Sequence, residues 1–313
     1  MAINIKDAHY RKKLIVAGGT GALGSIITAR YLNTDTEVVV LTRNALPDQH
    51  NVRYVRWDAA TLGIWAAELE GATAVVNLVG KSVNCRYTRA NKREIIQSRV
   101  DATTVIGKAI QQTTSPPRVW INAGSAAIFG NAGPAIKTEE SMDFGEGFSP
   151  EVCKQWEAAF RDAHTPLTRK IMLRIGVVLQ NGGGVLKPFV RLARFGLGGP
   201  IGSGEQYLSW LHETDFVRLV EWVIEQEEVE GVLHACSPFP VKNRDFMRAI
   251  RKELGVPFGL PNPAWSTKIG AYLIGTESEL VLSGRRVVSR VLEKEQFEFR
   301  FPKIADTFRN LAL

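Results

Sequence analysis

A glycine-rich turn between an apolar strand and a helix is the feature that most restricts how this chain can fold. The strand covers residues 14–17, the glycines follow as Gly18-x-x-Gly21-x-x-Gly24, and a second strand is predicted at 38–41 after a helix from Ser25. Glycines at this spacing let a helix N-terminus and backbone N–H groups approach the pyrophosphate of a dinucleotide. The pattern predicts a dinucleotide site, the alternative being an ordinary glycine-rich turn. The predicted contacts are Gly18, Gly19, Thr20, Gly21, Ala22, Leu23 and Gly24.

The end of the second strand indicates which dinucleotide binds. An acidic residue about twenty positions past the glycines holds the ribose hydroxyl of NAD, whereas an arginine accommodates the 2′-phosphate of NADP. Here the strand ends on Thr42, Arg43 and Asn44, with no acidic residue among them. We therefore predict NADP(H) as the cofactor, with Thr42 and Arg43 in contact with it. The alternative is a solvated arginine at a strand end.

Apolar runs and helical stretches alternate over the first half of the chain. Further strands are predicted at 52–55, 74–79, 119–123 and 171–179, and helices at 65–69, 92–112 and 151–163. Such alternation predicts an α/β fold with a Rossmann-type, doubly wound parallel sheet that is covered on both faces. In sheets of this kind the ligand lies at the carboxyl ends of the strands.

Several residues that end strands are candidate ligand contacts. Asp58 follows the third strand and could accept from the adenine amino group, or it could be a routine cap. The fourth strand ends in Asn77-Leu78-Val79-Gly80, where the glycine would let the cofactor pass close to the backbone. The fifth strand ends near Ser125 among small residues that would fit against a nicotinamide ring.

The second half of the chain loses this alternation. Glycines crowd residues 181–206, which predicts loops over a site, whereas a helix at 214–227 and a strand at 231–236 return to the sheet. From about Ser237, prolines interrupt short helices and strands. We predict an NADP-binding Rossmann domain of residues 1–180 with 207–236. Residues 181–206 with 237–313 are predicted to form a smaller α+β substrate or lid domain.

Composition limits the partners and the compartment. The net charge of +7 suits an anionic small-molecule ligand, and the positive residues are too scattered to predict nucleic-acid binding. The three cysteines lie far apart and no metal-binding histidine pattern occurs, so we expect neither a disulfide framework nor a metal. The polar residues 1–13 and the absence of a long apolar run predict a soluble, cytoplasmic protein that does not engage a membrane. The oligomeric state stays open.

Several motifs together resemble the extended short-chain dehydrogenase/reductase superfamily. They are the Gly18-x-x-Gly21-x-x-Gly24 turn, the segment from Ser125 to Gly130 and the segment from Leu173 to Val178. More narrowly, the chain is similar to the atypical branch of "epimerase family" proteins that carry a C-terminal domain of unknown function. That likeness rests on Asn77–Gly80, Ser98–Val100, Val152–Glu157, Gly204–His212, Ser237–Val241 and Phe297–Pro302.

The resemblance implies hydride transfer with a serine or threonine, a tyrosine and a lysine at the site. Ser125 matches the serine, but the positions of Tyr-x-x-x-Lys fall on Val152 and Trp156. Because neither side chain is a usable acid or base, an enzyme would need another proton donor, or water. The pocket candidates are Lys81, Tyr87, Cys153, Trp156, Tyr207 and His212, with Glu157 as a further acid. The alternatives are surface pairing for Glu157, core packing for Cys153 and Trp156, and loop support for His212.

Two functions fit these residues. The first is an NADPH-dependent oxidoreductase for a small carbonyl or nucleotide-sugar-like substrate, with Ser125 hydrogen-bonded to the carbonyl. The second is a non-catalytic NADPH-binding redox sensor or regulatory protein, which the missing tyrosine and lysine favour. A pocket lined by Ser125, Trp156 and Tyr207 would favour the enzyme, whereas a filled cleft with an exposed apolar patch elsewhere would favour the sensor.

Overall fold

A seven-stranded parallel sheet is the centre of the molecule. The structure is a computed structural model and describes residues 12–313, so the polar N-terminal segment lies almost wholly outside the described residues. The strands are β1 (Lys12–Ala17), β2 (Thr36–Thr42), β3 (Val52–Arg56), β4 (Ala74–Asn77), β5 (Val119–Ser125), β7 (Arg169–Ile175) and β11 (Gly231–Ala235). Their order is β11-β7-β5-β4-β1-β2-β3. The predicted Rossmann-type α/β fold is confirmed.

The strand order reverses beside β1. The chain runs outward from β1 through β2 to β3, then returns to place β4 on the other side of β1. From β4 it proceeds through β5 and β7 to β11, with every pairing parallel. The chain that leaves the carboxyl end of β1 and the chain that leaves the carboxyl end of β4 therefore run in opposite directions. Open α/β sheets bind ligands in the crevice between two such connections.

Helices cover both faces of the sheet because its strands are apolar on both sides. In β1, Val16 packs with Ile27 and Phe216 on one face, while its neighbour Ile15 packs with Ile106 on the other. Successive residues of a strand point to opposite faces, which explains this division. The covering elements are α1 (Ala22–Tyr31), α2 (Arg89–Gln111), α3 (Phe148–Asp162), α5 (Glu213–Glu225) and a 3₁₀ helix (Ile64–Leu69).

The strand predicted at 171–179 divides in two at Gly176. After β7, the segment β8 (Val177–Leu179) leaves the main sheet and pairs with β10 (Trp210–His212). A Cβ on Gly176 would lie 2.6 Å from the carbonyl oxygen of Ser209 and 2.9 Å from the sulfur of Cys236. The glycine is therefore required for the close approach at which the chain changes sheets.

Smaller elements make up the rest of the described chain, and several of those in its C-terminal half surround a separate core. They are α4 (Leu186–Arg194), α6 (Asn243–Glu253), α7 (Ala264–Leu273), α8 (Glu279–Leu282), α9 (Arg290–Lys294), α10 (Ile304–Asn310) and the two-residue strands β6 (Ile136–Lys137), β9 (Tyr207–Leu208), β12 (Val241–Lys242) and β13 (Arg286–Val287). Phe189 of α4, Phe246 of α6 and Phe308 of α10 meet in that core. The domain boundaries stay a prediction.

The prediction that residues 181–206 form only loops is wrong. Helix α4 lies within this segment, and it buries Leu186, Phe189 and Ala193. Its period of buried residues is helical, but the flanking glycines hide the signal in the sequence. None of the helices within residues 12–313 is long and apolar enough to cross a membrane.

Candidate functional site

The glycine turn lies where β1 meets α1 and is held by close backbone packing. Gly18 has a φ of +79°, and its N–H donates to the carbonyl of Leu41 at the end of β2. A Cβ on Gly24 would lie 2.3 Å from the carbonyl oxygen of Gly18, so only glycine fits there. No side chain caps α1, and its first turn carries no acidic residue. This N-terminus is therefore suited to an anion, although contact of residues 18–24 with a cofactor stays a prediction.

A cavity of about 440 Å³ lies at the ends of β2 and β3 and is lined by two arginines. Arg43 follows β2, and Arg56 ends β3, where it is the in-register neighbour of Thr42. Both side chains are exposed, while Ile64 and Trp65 supply an apolar wall. Two guanidinium groups beside an apolar wall offer charge for a phosphate and a surface for a flat base. Arg56 is absent from the sequence predictions because only the strand register places it beside Arg43.

Asp58 lines the same cavity, but its carboxylate serves the adjoining turn. It accepts hydrogen bonds from the N–H groups of Ala60 and Thr61 and from the Thr61 hydroxyl. These bonds, the hydroxyl's above all, lower the pKa of Asp58 to about 2. Asp58 thus caps the turn that follows β3, which is the alternative given for it above, and a bond to adenine stays a prediction.

The segment from Asn77 to Gly80 makes contacts within the protein that the sequence does not predict. The Asn77 side chain is fully buried, donates to Asn122 and accepts from the Val79 N–H, so it holds the strand end from within. A Cβ on Gly80 would lie 2.8 Å from the guanidinium carbon of Arg99. The glycine thus leaves room for the Arg99 side chain, and contact of Gly80 with a cofactor stays a prediction.

Arg99 of α2 connects the loop after β4 to Trp156 on α3. Its guanidinium donates to the carbonyls of Lys81 and Ile95 and lies 5.1 Å from the ring centre of Trp156. Burial lowers the pKa of Arg99. A second deeply placed cation, Arg285, lies within electrostatic range of Cys153 and Glu279, and burial lowers its pKa too. Both arginines therefore place positive charge around Cys153, a feature that motif reading does not detect.

Trp156 and Val152 are core residues. Val152 is buried, and the indole N–H of Trp156 donates to the hydroxyl of Thr103 on α2. Trp156 belongs to the hydrophobic core and is 6% exposed, and its contact with a substrate stays a prediction. The geometry confirms the alternative of core packing, because a buried indole needs a hydrogen-bond partner and finds one here.

Glu157 makes a buried ion pair rather than a surface contact. Its two carboxylate oxygens accept from Nε and Nη2 of Arg174, both at 2.8 Å. The arginine side chain is 4% exposed and the glutamate 13%. Since both oxygens are occupied by the guanidinium, Glu157 is not a free acid or base for a substrate.

Cys153 and Cys236 are buried thiols without reactive character. Burial raises the pKa of each to about 12, and Cys153 is 3% exposed. The suggestion that Cys153 serves as a proton donor or pocket group is therefore corrected. Cys85 is the half-buried thiol of the three, and its sulfur lies 3.6 Å from the carbonyl oxygen of Ser82.

We expect Ellman's reagent to detect Cys85 alone in the folded protein and all three thiols after denaturation. With a pKa near 12, roughly one in ten thousand Cys153 side chains is a thiolate at about pH 8. The measurement is the stoichiometry of thionitrobenzoate release with and without guanidinium. Rapid labelling of the Cys85→Ser variant under native conditions would contradict the burial of the other two.

Lys81 bonds to α2, whereas Tyr87 reaches the C-terminal region. The Lys81 ammonium donates to Glu94, and the N–H of Tyr87 donates to Glu277. The Tyr87 ring packs edge-on against Phe148, and burial raises the pKa of its hydroxyl to about 12. Tyr87 thus keeps its proton at neutral pH.

Tyr207 and His212 lie on β9 and β10, two short strands outside the main sheet. The Tyr207 ring is approached by the cations of Lys242 and Arg286 at 5.8 and 5.2 Å. His212 is fully buried, stacks on Phe301 and accepts from the N–H of Thr214 as the N-cap of α5. Burial lowers its pKa. His212 is therefore a structural cap and not a pocket residue.

Ser125 lies at the carboxyl end of β5 with its side chain half-buried. Its hydroxyl oxygen accepts from the N–H of Ala127 and caps a short 3₁₀ helix. The hydroxyl proton is not committed by this bond, so the side chain keeps a donor for a carbonyl oxygen. A catalytic role for Ser125 stays a prediction.

Comparison with known proteins identifies the family. Residues 14–151 match the NAD dependent epimerase/dehydratase family, and residues 263–311 match a domain of unknown function, DUF1731. Epimerase family protein SSP1921 of Staphylococcus saprophyticus is 30% identical over 302 residues, which cover 96% of this chain and 99% of that protein. The chain belongs to the NAD dependent epimerase/dehydratase family. Within it, the chain falls among the epimerase family proteins with a DUF1731 tail, as the motifs indicate.

A solved structure of an epimerase family protein supports the same assignment. The human epimerase family protein SDR39U1 (isoform 2), crystallised with NADPH, matches with a TM-score of 0.84 and 28% identity over 96% of this chain and 99% of that chain. Epimerase family protein YfhF of Bacillus subtilis is 30% identical over 292 residues, 92% of this chain and 94% of that protein. The match to DUF1731 spans α7 to α10, the part of the chain that holds Glu277 and Arg285.

Proposed function

We propose that this epimerase family protein binds NADPH along the carboxyl edge of its sheet and reduces a small carbonyl substrate. The observation that carries the proposal is the pair Arg43 and Arg56 in one cavity, at the ends of neighbouring strands next to the glycine turn. The 2′-phosphate would lie between these arginines and the pyrophosphate at the start of α1. The NADPH bound to the human relative supports this assignment.

The side chains at the site would bind and orient the substrate, and none of them would transfer a proton. Bound NADPH would supply the hydride. Ser125 would donate to the substrate carbonyl, and the positive charge of Arg99 and Arg285 would favour a substrate with a carboxylate or phosphate. Since Cys153 is buried, Glu157 is paired with Arg174 and the Tyr87 ring packs against Phe148, we propose that water supplies the proton.

Substitution of Arg43 by alanine is expected to weaken NADPH binding roughly tenfold or more while leaving NADH binding unchanged, because a charge-assisted contact to the 2′-phosphate is lost. Arg56→Ala should act in the same direction. The measurement is a titration of each variant with both nucleotides. Arg161→Ala is the matched control, since it removes an exposed arginine that pairs with Asp162 outside the cavity. An equal loss for NADH and NADPH would contradict the assignment of the arginines.

A non-catalytic NADPH-binding sensor is the second candidate, and the burial of Val152 and Trp156 favours it. NADPH oxidation in the presence of a panel of anionic aldehydes and ketones separates the two functions. Turnover that falls in Ser125→Ala without a change in NADPH affinity supports the enzyme. NADPH binding without turnover on any member of the panel supports the sensor.

A further inference from the structure

Helix α7 presents its apolar side chains to solvent. Trp265, Ile269, Tyr272 and Leu273 recur at the spacing of one helical face, and each is more than half exposed. Tyr272 is 68% and Leu273 77% exposed, and Ile274 continues the stripe beyond the helix. On an ordinary surface helix this stripe would face the core. Here α7 has a single buried residue, Ala271, so most of its apolar face is open to solvent within residues 12–313.

A second group of exposed apolar side chains adjoins α7. Phe195 and Leu197 follow α4, and the loop that carries Phe258 and Leu260 bonds to this turn through Leu260 N–H and the Gly196 carbonyl. Asn262, which directly precedes α7, donates its side-chain amide to the Leu197 carbonyl. We call the combined surface the apolar platform. It comprises Phe195, Leu197, Phe258, Leu260, Trp265, Ile269, Tyr272, Leu273 and Ile274.

The segments that build the platform are positively charged. Residues 182–204 and 254–276 hold four exposed cations and no acidic residue, although three glutamates stand directly at the ends of these segments. The cations are Lys187, Arg191, Arg194 and Lys268, and the glutamates are Glu205, Glu253 and Glu277. From the loop between β4 and α2, Arg86 places its guanidinium 3.8 Å from the ring centre of Tyr272 and donates to the Tyr272 carbonyl. Exposed apolar residues, two of them aromatic with a polar edge, thus share this surface with exposed cations.

We propose that the apolar platform docks the protein onto the surface of a membrane that contains anionic lipids. Apolar and aromatic side chains would enter the boundary between headgroups and acyl chains, while the cations would bind lipid phosphates. Helix α7 has ten residues, about 15 Å, so it would lie in the interface and not span it. The expectation that no membrane is involved considered spanning segments only.

The charge distribution favours a membrane over a second copy of the chain. A two-fold interface would bring the same cations of both copies together, and Glu205 and Glu277, which flank the platform segments, are already bound by Lys242 and Arg244 and by the Tyr87 N–H. An anionic bilayer supplies the missing negative charge on a broad surface. The proposal does not rest on NADPH binding, because none of the platform residues lines the cavity with Arg43 and Arg56.

Co-sedimentation with vesicles tests the proposal. The full chain is expected to bind phosphatidylcholine vesicles that contain phosphatidylglycerol, to bind pure phosphatidylcholine more weakly, and to dissociate at high salt. The double variant Leu273→Ser, Ile274→Ser should bind at least roughly tenfold more weakly, because two apolar side chains no longer enter the bilayer. Leu167→Ser is the matched control, since Leu167 is also 77% exposed but precedes β7 at the amino edge of the sheet.

Several results would overturn the proposal. Wild-type protein that stays in the supernatant with both vesicle types at low salt would do so, as would binding that the double variant leaves unchanged. Sedimentation velocity adds a third outcome. If the chain forms a dimer that the double variant dissociates, and does not bind vesicles, the platform is an interface with a second copy.

Circular dichroism controls for folding. The spectra of the double variant and of Leu167→Ser should match the wild type because the substituted side chains are exposed. A matching spectrum shows that any loss of binding comes from the changed surface and not from unfolding.

Discussion

Replacement of Gly24 by alanine is expected to abolish or strongly weaken NADPH binding while the rest of the sheet remains folded. The new Cβ would lie 2.3 Å from the carbonyl oxygen of Gly18 and 2.5 Å from the Cα of Gly19. Because these atoms belong to the backbone, the glycine turn must move away from α1 to relieve the clash. Overpacking of this kind costs about 1–3 kcal/mol, which corresponds to roughly 5- to 150-fold in affinity when the displaced atoms form the site.

Isothermal titration with NADPH measures the effect, and Gly270→Ala provides the control. Gly270 is also a helical glycine, but a Cβ there would have no atom within 4 Å. It should bind NADPH as the wild type does. If Gly24→Ala retains full affinity and a native circular dichroism spectrum, the turn does not hold the pyrophosphate, and the proposed function fails with it.

The parts of the fold that depend on local patterns could be predicted from the sequence. The glycine turn, the strands of the sheet and α2, α3 and α5 all occur within a few residues of their expected bounds, because each carries its own apolar period. Helix α4 was hidden because its helical character depends on burial of Phe189 against Phe246 of α6, far along the chain. Contacts with distant parts of the chain determine whether such a segment is helical, whereas the local sequence, with its flanking glycines, predicts a loop.

The candidate site could be predicted only at positions that a motif or strand end identifies. Arg43 follows from its distance to the glycines, whereas Arg56 requires the register between β2 and β3. Cys153 and Trp156 look like site residues because they share a helix with the expected tyrosine and lysine positions. Their burial depends on how α3 packs against Thr103 of α2 and the sheet, which spacing along α3 does not report.

The ion pair between Glu157 and Arg174 links helix α3 to the strand β7 beside Ser125. Arg174 on β7 is the register neighbour of Gly124, one residue before Ser125, and Glu157 is five residues past Val152 on α3. The arginine also lies 5.5 and 5.2 Å from the ring centres of Phe129 and Phe144. The pair therefore fixes α3 against the strand end that carries Ser125, which is a structural task for a residue that resembles a catalytic acid.

Substitution of Glu157 by glutamine is consequently expected to lower the free energy of unfolding by about 3–5 kcal/mol, because it leaves Arg174 buried without a counter-charge. Urea unfolding measures the loss. Glu293→Gln is the matched control, since its partner Arg290 is exposed and such pairs contribute at most about 1 kcal/mol. The double variant Glu157→Gln, Arg174→Met should be more stable than Glu157→Gln alone, because the unpaired charge is gone. Equal unfolding midpoints for Glu157→Gln and the wild type would show that the buried pair does not hold α3 in place.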